Sequence, residues 1–103
     1  MKVTYEEGVF EELVSLSGYL ADEDDSLAQA FLNACDSTFI FLAKNKFAGS
    51  GNKFENLELS DVRMWRVKGF EMYLIFYVPT ESGIKLLHIL HSATDYNRAF
   101  DKE

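Results

Sequence analysis

Two histidines, His88 and His91, stand three residues apart at the end of the apolar run "IKLLHILH". Imidazoles suit metal binding and proton transfer near neutral pH. Three is an odd step along a strand, so the two rings would point to opposite faces of a sheet and could not share one ion. Zinc sites place ligands at helical spacing, or on turns with further Cys or His nearby, and neither pattern is present. No metal site and no cofactor is expected. A regular strand groups His88 with Ile84, Leu86 and Leu90, and His91 with Leu87 and Ile89, as core or rim residues. His91, at the strand's exit, is the better functional candidate.

The remaining reactive side chains are equally plain. Cys35 is the single cysteine; it cannot form an internal disulfide and sits among apolar neighbours, where thiols are inert. "GSGNK" does not join a strand to a helix as a phosphate loop must. Asp24 and Asp25 read as solvation at a helix boundary, not as an acid–base pair. One cluster stands out. In "VRMWRVK", Arg63 and Trp65 share one strand face, while Arg66 lies with Met64 and Lys68 on the other. Arginine beside tryptophan is common in protein interfaces and in nucleic-acid contacts. The chain carries 17 acidic against 10 basic residues, a net charge of −7. That balance favours a protein interface and argues against direct nucleic-acid binding. The acidity is uneven, with 11 Asp/Glu against 4 Lys/Arg in residues 1–60 and 6 against 6 thereafter.

The elements that must position these residues follow from periodicity. The 103 residues, 48% hydrophobic, suit one domain with one core. No apolar run approaches a membrane span and no leader is visible, so a cytoplasmic protein is expected. Met1 to Glu6 is β-compatible. Val9, Phe10, Leu13, Leu16 and Leu20 recur at helical spacing. Ser26 and Gln29 form a capping box for a second helix, which would bury Leu27, Ala30, Phe31, Ala34, Thr38, Phe41 and Leu42. Cys35, Phe39 and Ile40 widen its apolar face. Asn45 to Asp61 reads as a long loop. Strands are expected at Val62–Val67, Met72–Val78 and Ile84–Leu90, joined by turns at Lys68–Glu71 and Pro79–Gly83. Asp95 can cap a last turn through Phe100. The fold class is α+β: a helical hairpin on one face of an antiparallel sheet, in the order β-α-α-β-β-β. In the middle of those three strands, Leu74, Phe76 and Val78 face one way and Tyr73, Ile75 and Tyr77 the other. Only one face can lie under the helices. The other must be covered by a partner protein or by the chain's own ends.

Taken together, these segments resemble the RelE/ParE superfamily of bacterial type II toxins, and within it the ParE branch. "VFEELVSLSGYL" is similar to the family's first helix, with Glu12, Leu13, Leu16 and Tyr19 in the matching places. "DSLAQAFLNACDSTFIFLAKN" is similar to its second helix, which ends in Leu-Ala. Arg63, "YLIFY" (Tyr73–Tyr77) and "LLHILHSATD" (Leu86–Asp95) match the family's Arg, its aromatic strand and its closing strand, with His91 and Asp95 in the family's positions. The resemblance implies a toxin neutralised by a cognate antitoxin and acting by binding DNA gyrase. The antitoxin-contact candidates are then Trp65, Tyr73, Ile75 and Tyr77, on a sheet face left exposed. The target-contact candidates are Arg63, Arg66, His91, Thr94, Tyr96 and Arg98. The chain departs from the family at Thr94, where an Arg is usual, and at Lys46, where Pro is frequent. The ribonuclease branch's working residues fall on Leu74, Thr94 and Phe100, which cannot stabilise phosphorane charge or protonate a leaving oxygen. The resemblance thus implies inhibition by binding. Its alternatives are a RelE-like endoribonuclease drawing charge from Arg63, Arg66, Lys68, His91 and Arg98, and a decayed toxin that only binds a partner. A pI of 4.7 is unusual beside the basic toxins of this family.

Overall fold

The structure is a computed structural model that describes residues 2–51 and 59–100. In chain order it contains β1 (Lys2–Tyr5), α1 (Val9–Ala21), α2 (Asp25–Lys44), β2 (Arg63–Val67), β3 (Phe70–Pro79), β4 (Gly83–His91) and α3 (Tyr96–Phe100). The class is α+β, with the helical hairpin α1–α2 on one face of a sheet ordered β1-β4-β3-β2. The β2–β3 and β3–β4 pairs are antiparallel, as their short links require. β1 departs from the expected all-antiparallel sheet and runs parallel to β4, from Lys2 beside Gly83 to Tyr5 beside Leu86, so the sheet is mixed. The long connection after β1 frees it from the antiparallel constraint of a hairpin. Gly83 lets β1 approach, because a Cβ there would overlap the Lys2 backbone.

α2 starts earlier than the expected Ser26 capping box. Asp24 is its N-cap, with Oδ1 accepting from the Ser26 N–H at 2.9 Å and the Ser26 hydroxyl at 2.8 Å. A carboxylate suits the positive end of a helix better than a hydroxyl. Gln29 instead donates to Asn33 along the helix. The buried face of α2 is also rotated from the expected one. Ala28, Phe31, Cys35, Thr38, Phe39, Leu42 and Ala43 are buried, whereas Ala30 and Phe41 face outward and Leu27 and Ala34 are half-buried. On α1, Val9 and Leu20 are buried and Phe10 turns to solvent.

The helices cover the face of β3 that carries Tyr73, Ile75 and Tyr77, together with Ile84, Leu86 and Ile89 of β4 and Val67 of β2. This corrects the expectation that Tyr73, Ile75 and Tyr77 stand on an exposed face. The opposite face, with Leu74 and Phe76, is packed by Val62, Leu59, Met64, Leu87, Leu90 and Phe100 of the same chain. β4 is not regular. Phe76 pairs with His88 but Tyr77 pairs with Leu86, which leaves Leu87 as an extra bulged residue. The bulge inverts the alternation, so His88 lies with Leu90 and opposite Ile84 and Leu86, and His91 with Ile89. The two histidines still fall on opposite faces.

Candidate functional site

β2 is an edge strand, and its outer side is only partly used. Ser50 pairs with Met64 through two backbone hydrogen bonds of 3.0 and 2.9 Å. By the alternation of an antiparallel ladder, Arg66 presents its N–H and C=O to the same outer side as Met64. Among the described residues no strand pairs with Arg66 there. Between this edge and α2 runs a groove of about 990 Å³, lined by Ala34, Phe41, Ala48, Met64 and Trp65 and rimmed by Arg66, Lys68 and Glu71. The Phe41 and Trp65 rings stack at 5.6 Å. Thr38 closes the groove's base, its hydroxyl donating to Ala34 O at 2.7 Å and accepting from the Lys68 N–H at 3.4 Å.

A buried tyrosine fixes the upper wall. The Tyr77 hydroxyl accepts from the Gly49 N–H at 2.9 Å and donates to Lys46 O at 3.0 Å. Burial raises its pKa above the usual 10.0. Arg63 ties down the same segment, with Nη1 donating to Gly49 O at 2.7 Å and Phe47 O at 3.2 Å while the guanidinium lies 5.1 Å from the Phe47 ring centre.

The target-contact candidates therefore divide. Arg66 pairs with Leu74, and His91 with Tyr73 two strands across, so both lie at one end of the sheet, roughly 10 Å apart in the strand-stacking direction. Arg66 donates to Glu71 O at 2.8 Å. His91 Nδ1 accepts from the Ala93 N–H at 3.0 Å, and its ring stands edge-on to Tyr73 at 5.2 Å. Thr94 and Arg98 are exposed in the segment that follows. The Tyr96 side chain lies outside the described residues. Within that end, Arg66 shares the face of Leu74 and His91 the helix-covered face of Tyr73, and Arg63, paired with Tyr77 three residues along β2, lies away from both. Of the antitoxin-contact candidates, Trp65 alone borders the groove; Tyr73, Ile75 and Tyr77 are buried behind it. Leu74 is buried, Thr94 is exposed, and Phe100 packs edge-on to Phe76 at 5.5 Å and His88 at 4.6 Å.

One pair escaped the sequence reading. Glu12 of α1 reaches the edge of β4 beyond the end of β1, where Oε1 accepts from the Ile89 N–H at 2.8 Å and Oε2 meets His88 Nδ1 at 2.6 Å. The carboxylate stands in for a neighbouring strand. In the sequence Glu12 is an acidic residue beside the apolar stripe of α1, in a place that matches the first helix of the family it resembles, and nothing there pointed to His88. Among the described residues, no group of three or more His, Cys, Asp or Glu could hold a metal ion. Among them, too, no helix is long and apolar enough to cross a membrane.

The fold is thus a helical hairpin over a small mixed sheet, with an apolar groove beside the β2 edge. The chain matches the family model described as ParE toxin of type II toxin-antitoxin system, parDE, over residues 3–96, and belongs to that family of the RelE/ParE superfamily. No curated protein matches it. Membership implies a toxin role and an antitoxin as partner.

Proposed function

We propose that this chain is a toxin acting in the cytoplasm by binding DNA gyrase, and that its antitoxin holds it through the groove between α2 and β2. The family match over residues 3–96 carries the toxin reading. The groove supports the antitoxin reading, because it offers the two things an extended segment needs. The open edge at Arg66 supplies backbone hydrogen bonds, and the Phe41–Trp65 stack supplies an apolar anchor. Tyr73, Ile75 and Tyr77, buried in the core under the helices, leave the contact list. Arg66, His91, Thr94 and Arg98, at one end of the sheet, are the proposed target surface, and inhibition follows from occupancy without bond chemistry.

The test is expression from a tight inducible promoter without antitoxin, followed by a supercoiling assay with purified gyrase. Loss of colonies with blocked supercoiling is expected, reversed by co-expression of the cognate antitoxin. Trp65→Ala should weaken the antitoxin complex by about 2 kcal/mol or more, as anchors in apolar pockets do, while leaving gyrase inhibition in place. Loss of colonies with normal supercoiling and cleaved messenger RNA would overturn the gyrase reading. Unimpaired growth with soluble protein would overturn the toxin activity altogether.

A further inference from the structure

Thr94 and Arg98 belong to a segment whose own backbone does little to place it. α3 has five residues, Tyr96–Phe100, too few to stand as an isolated helix. The Arg98 and Ala99 N–H groups donate to Asp95 O at 3.1 and 3.3 Å, and the Thr94 N–H donates to His91 O at 2.9 Å. These bonds shape the segment but do not seat it on the sheet. Among the described residues, Phe100 does that. Its ring meets Phe76 of β3 at 5.5 Å and His88 of β4 at 4.6 Å, nearly perpendicular to both. Phe76 is buried, so its position is set by packing. His88 is held from its other side. Glu12 of α1 meets His88 Nδ1 with Oε2 at 2.6 Å, while its Oε1 accepts from the Ile89 N–H at 2.8 Å. The His88 and Glu12 side chains are only 17% and 23% exposed, so water competes weakly for the bond. A line of contacts therefore runs from α1 through Glu12 and His88 to Phe100 of α3.

We infer, resting on the target surface proposed above, that Glu12 and His88 are positioning residues for it: through Phe100 they fix where α3 sits, and with it Thr94 and Arg98. The chemistry of the joint suits this role. A carboxylate has two oxygens, and here the first is tied to the sheet backbone at Ile89. The second is then a fixed point, and it pins one edge of the imidazole. The rest of the ring stays available to an aromatic neighbour. Phe100 thus packs against a wall that cannot turn. Without Glu12 the imidazole is free to change rotamer, and Phe100 loses one of its two aromatic supports. A contact that only stabilises the fold would, when cut, lower the stability of the whole domain. A positioning contact would, when cut, release α3 while the sheet stays intact. The hairpin on one face of the sheet in this way sets the placement of a segment at its far end.

The test uses the full chain, with amide NMR reading geometry and gyrase supercoiling reading function. The Arg98 and Ala99 amides report on α3, and the Ile75 amide, in the middle of the sheet, reports on the fold. Glu12→Ala should move the Arg98 and Ala99 shifts toward unstructured values and leave Ile75 in place. It should also raise the concentration for half-inhibition of supercoiling by about tenfold, a usual size for coupling between distant groups. Glu12→Gln keeps an acceptor for the Ile89 N–H and a polar partner for His88, and should restore both readouts. Phe100→Ala should match the loss in Glu12→Ala, and the double variant should be no worse than either, because residues acting in series are not additive. Phe100→Ala trims only a part-buried ring near the chain's end, and it should speed hydrogen exchange at Ile89, on the far side of His88. That measurement decides the matter if Glu12→Ala fails to fold. Unmoved Arg98 and Ala99 amides in Glu12→Ala, additive losses in the double variant, or unchanged Ile89 exchange in Phe100→Ala would each overturn the proposal. Full inhibition by a Glu12→Ala chain with α3 displaced would overturn it too, since the target would then not read the placement of α3. A parent chain that leaves supercoiling untouched would instead sink the gyrase reading, and the amide shifts alone would decide whether Glu12 and His88 hold α3.

Discussion

At the scale of single residues, the hydroxyl of Tyr77 and the missing side chain of Gly49 are two halves of one contact. A Cβ on Gly49 would come within 2.7 Å of the Tyr77 hydroxyl and 2.9 Å of the Met64 carbonyl oxygen. Tyr77→Phe removes the acceptor of the Gly49 N–H and the donor to Lys46 O, and should cost about 1–3 kcal/mol in urea denaturation. Gly49→Ala should be destabilising as well, because both neighbours are held in place; a variant as stable as the parent would show that the segment slides freely. Cys35 is the second case. Burial, and then Asp36, push its thiol from the usual 9.0 to about 12. The unfolded chain releases that proton near the usual value and the native chain does not, so the contribution is fully present below about pH 9 and is lost as pH climbs toward 12. At neutral pH the native chain should resist alkylation by iodoacetamide, and the urea-unfolded chain should react readily. Rapid labelling of the native protein would contradict this burial.

At the scale of elements, two carboxylates hold the helices. Glu12 joins α1 to β4 where β1 has ended, by accepting from the Ile89 N–H and meeting His88. Glu12→Ala leaves a part-buried amide without its acceptor and should cost about 1–3 kcal/mol, with Glu12→Gln, which keeps a carbonyl acceptor, costing less. Hydrogen exchange at Ile89 reads the same bond directly, and unchanged protection in Glu12→Ala would refute it. Asp24 starts α2. The Ser26 hydroxyl and then the Ser26 N–H lower its carboxyl below the usual 3.8. A lowered carboxyl stabilises the fold above its unfolded value, and that share is lost as pH falls through the native one. Melting temperatures between neutral pH and about pH 3 should therefore fall more for the parent than for Asp24→Asn, which caps without titrating.

At the scale of the whole molecule, the hairpin's net −8, from nine Asp/Glu and one Lys in residues 6–44, acts on itself. Moderate sodium chloride screens that repulsion, so the melting temperature should rise between low and physiological ionic strength; a flat response would mean the carboxylates are already balanced locally. The order of elements, the three antiparallel strands, the hairpin and the family were all legible in the chain, because periodicity and short links are local properties. Which stripe of α2 is buried was not, since Phe39, Ile40 and Phe41 make two faces of that helix nearly equal. The covered face of the sheet was missed for a related reason. β3 is apolar on both sides, so its alternation is silent, and the decision lies with its neighbours. Val67 on β2 and Ile84, Leu86 and Ile89 on β4 add to the Tyr73–Ile75–Tyr77 side, while Arg66, Lys85 and His88 mark the other. Reading β4 that way requires the bulge at Leu87, and a regular strand puts His88 with Ile84 and Leu86 instead. The sequence by itself determined the types of element and their succession, because those depend on neighbours in the chain. Only the tertiary structure decided which apolar face meets the helices, that Glu12 substitutes for a strand, and that Trp65 lines a groove while Tyr77 lies behind it, because each depends on register between segments far apart in sequence.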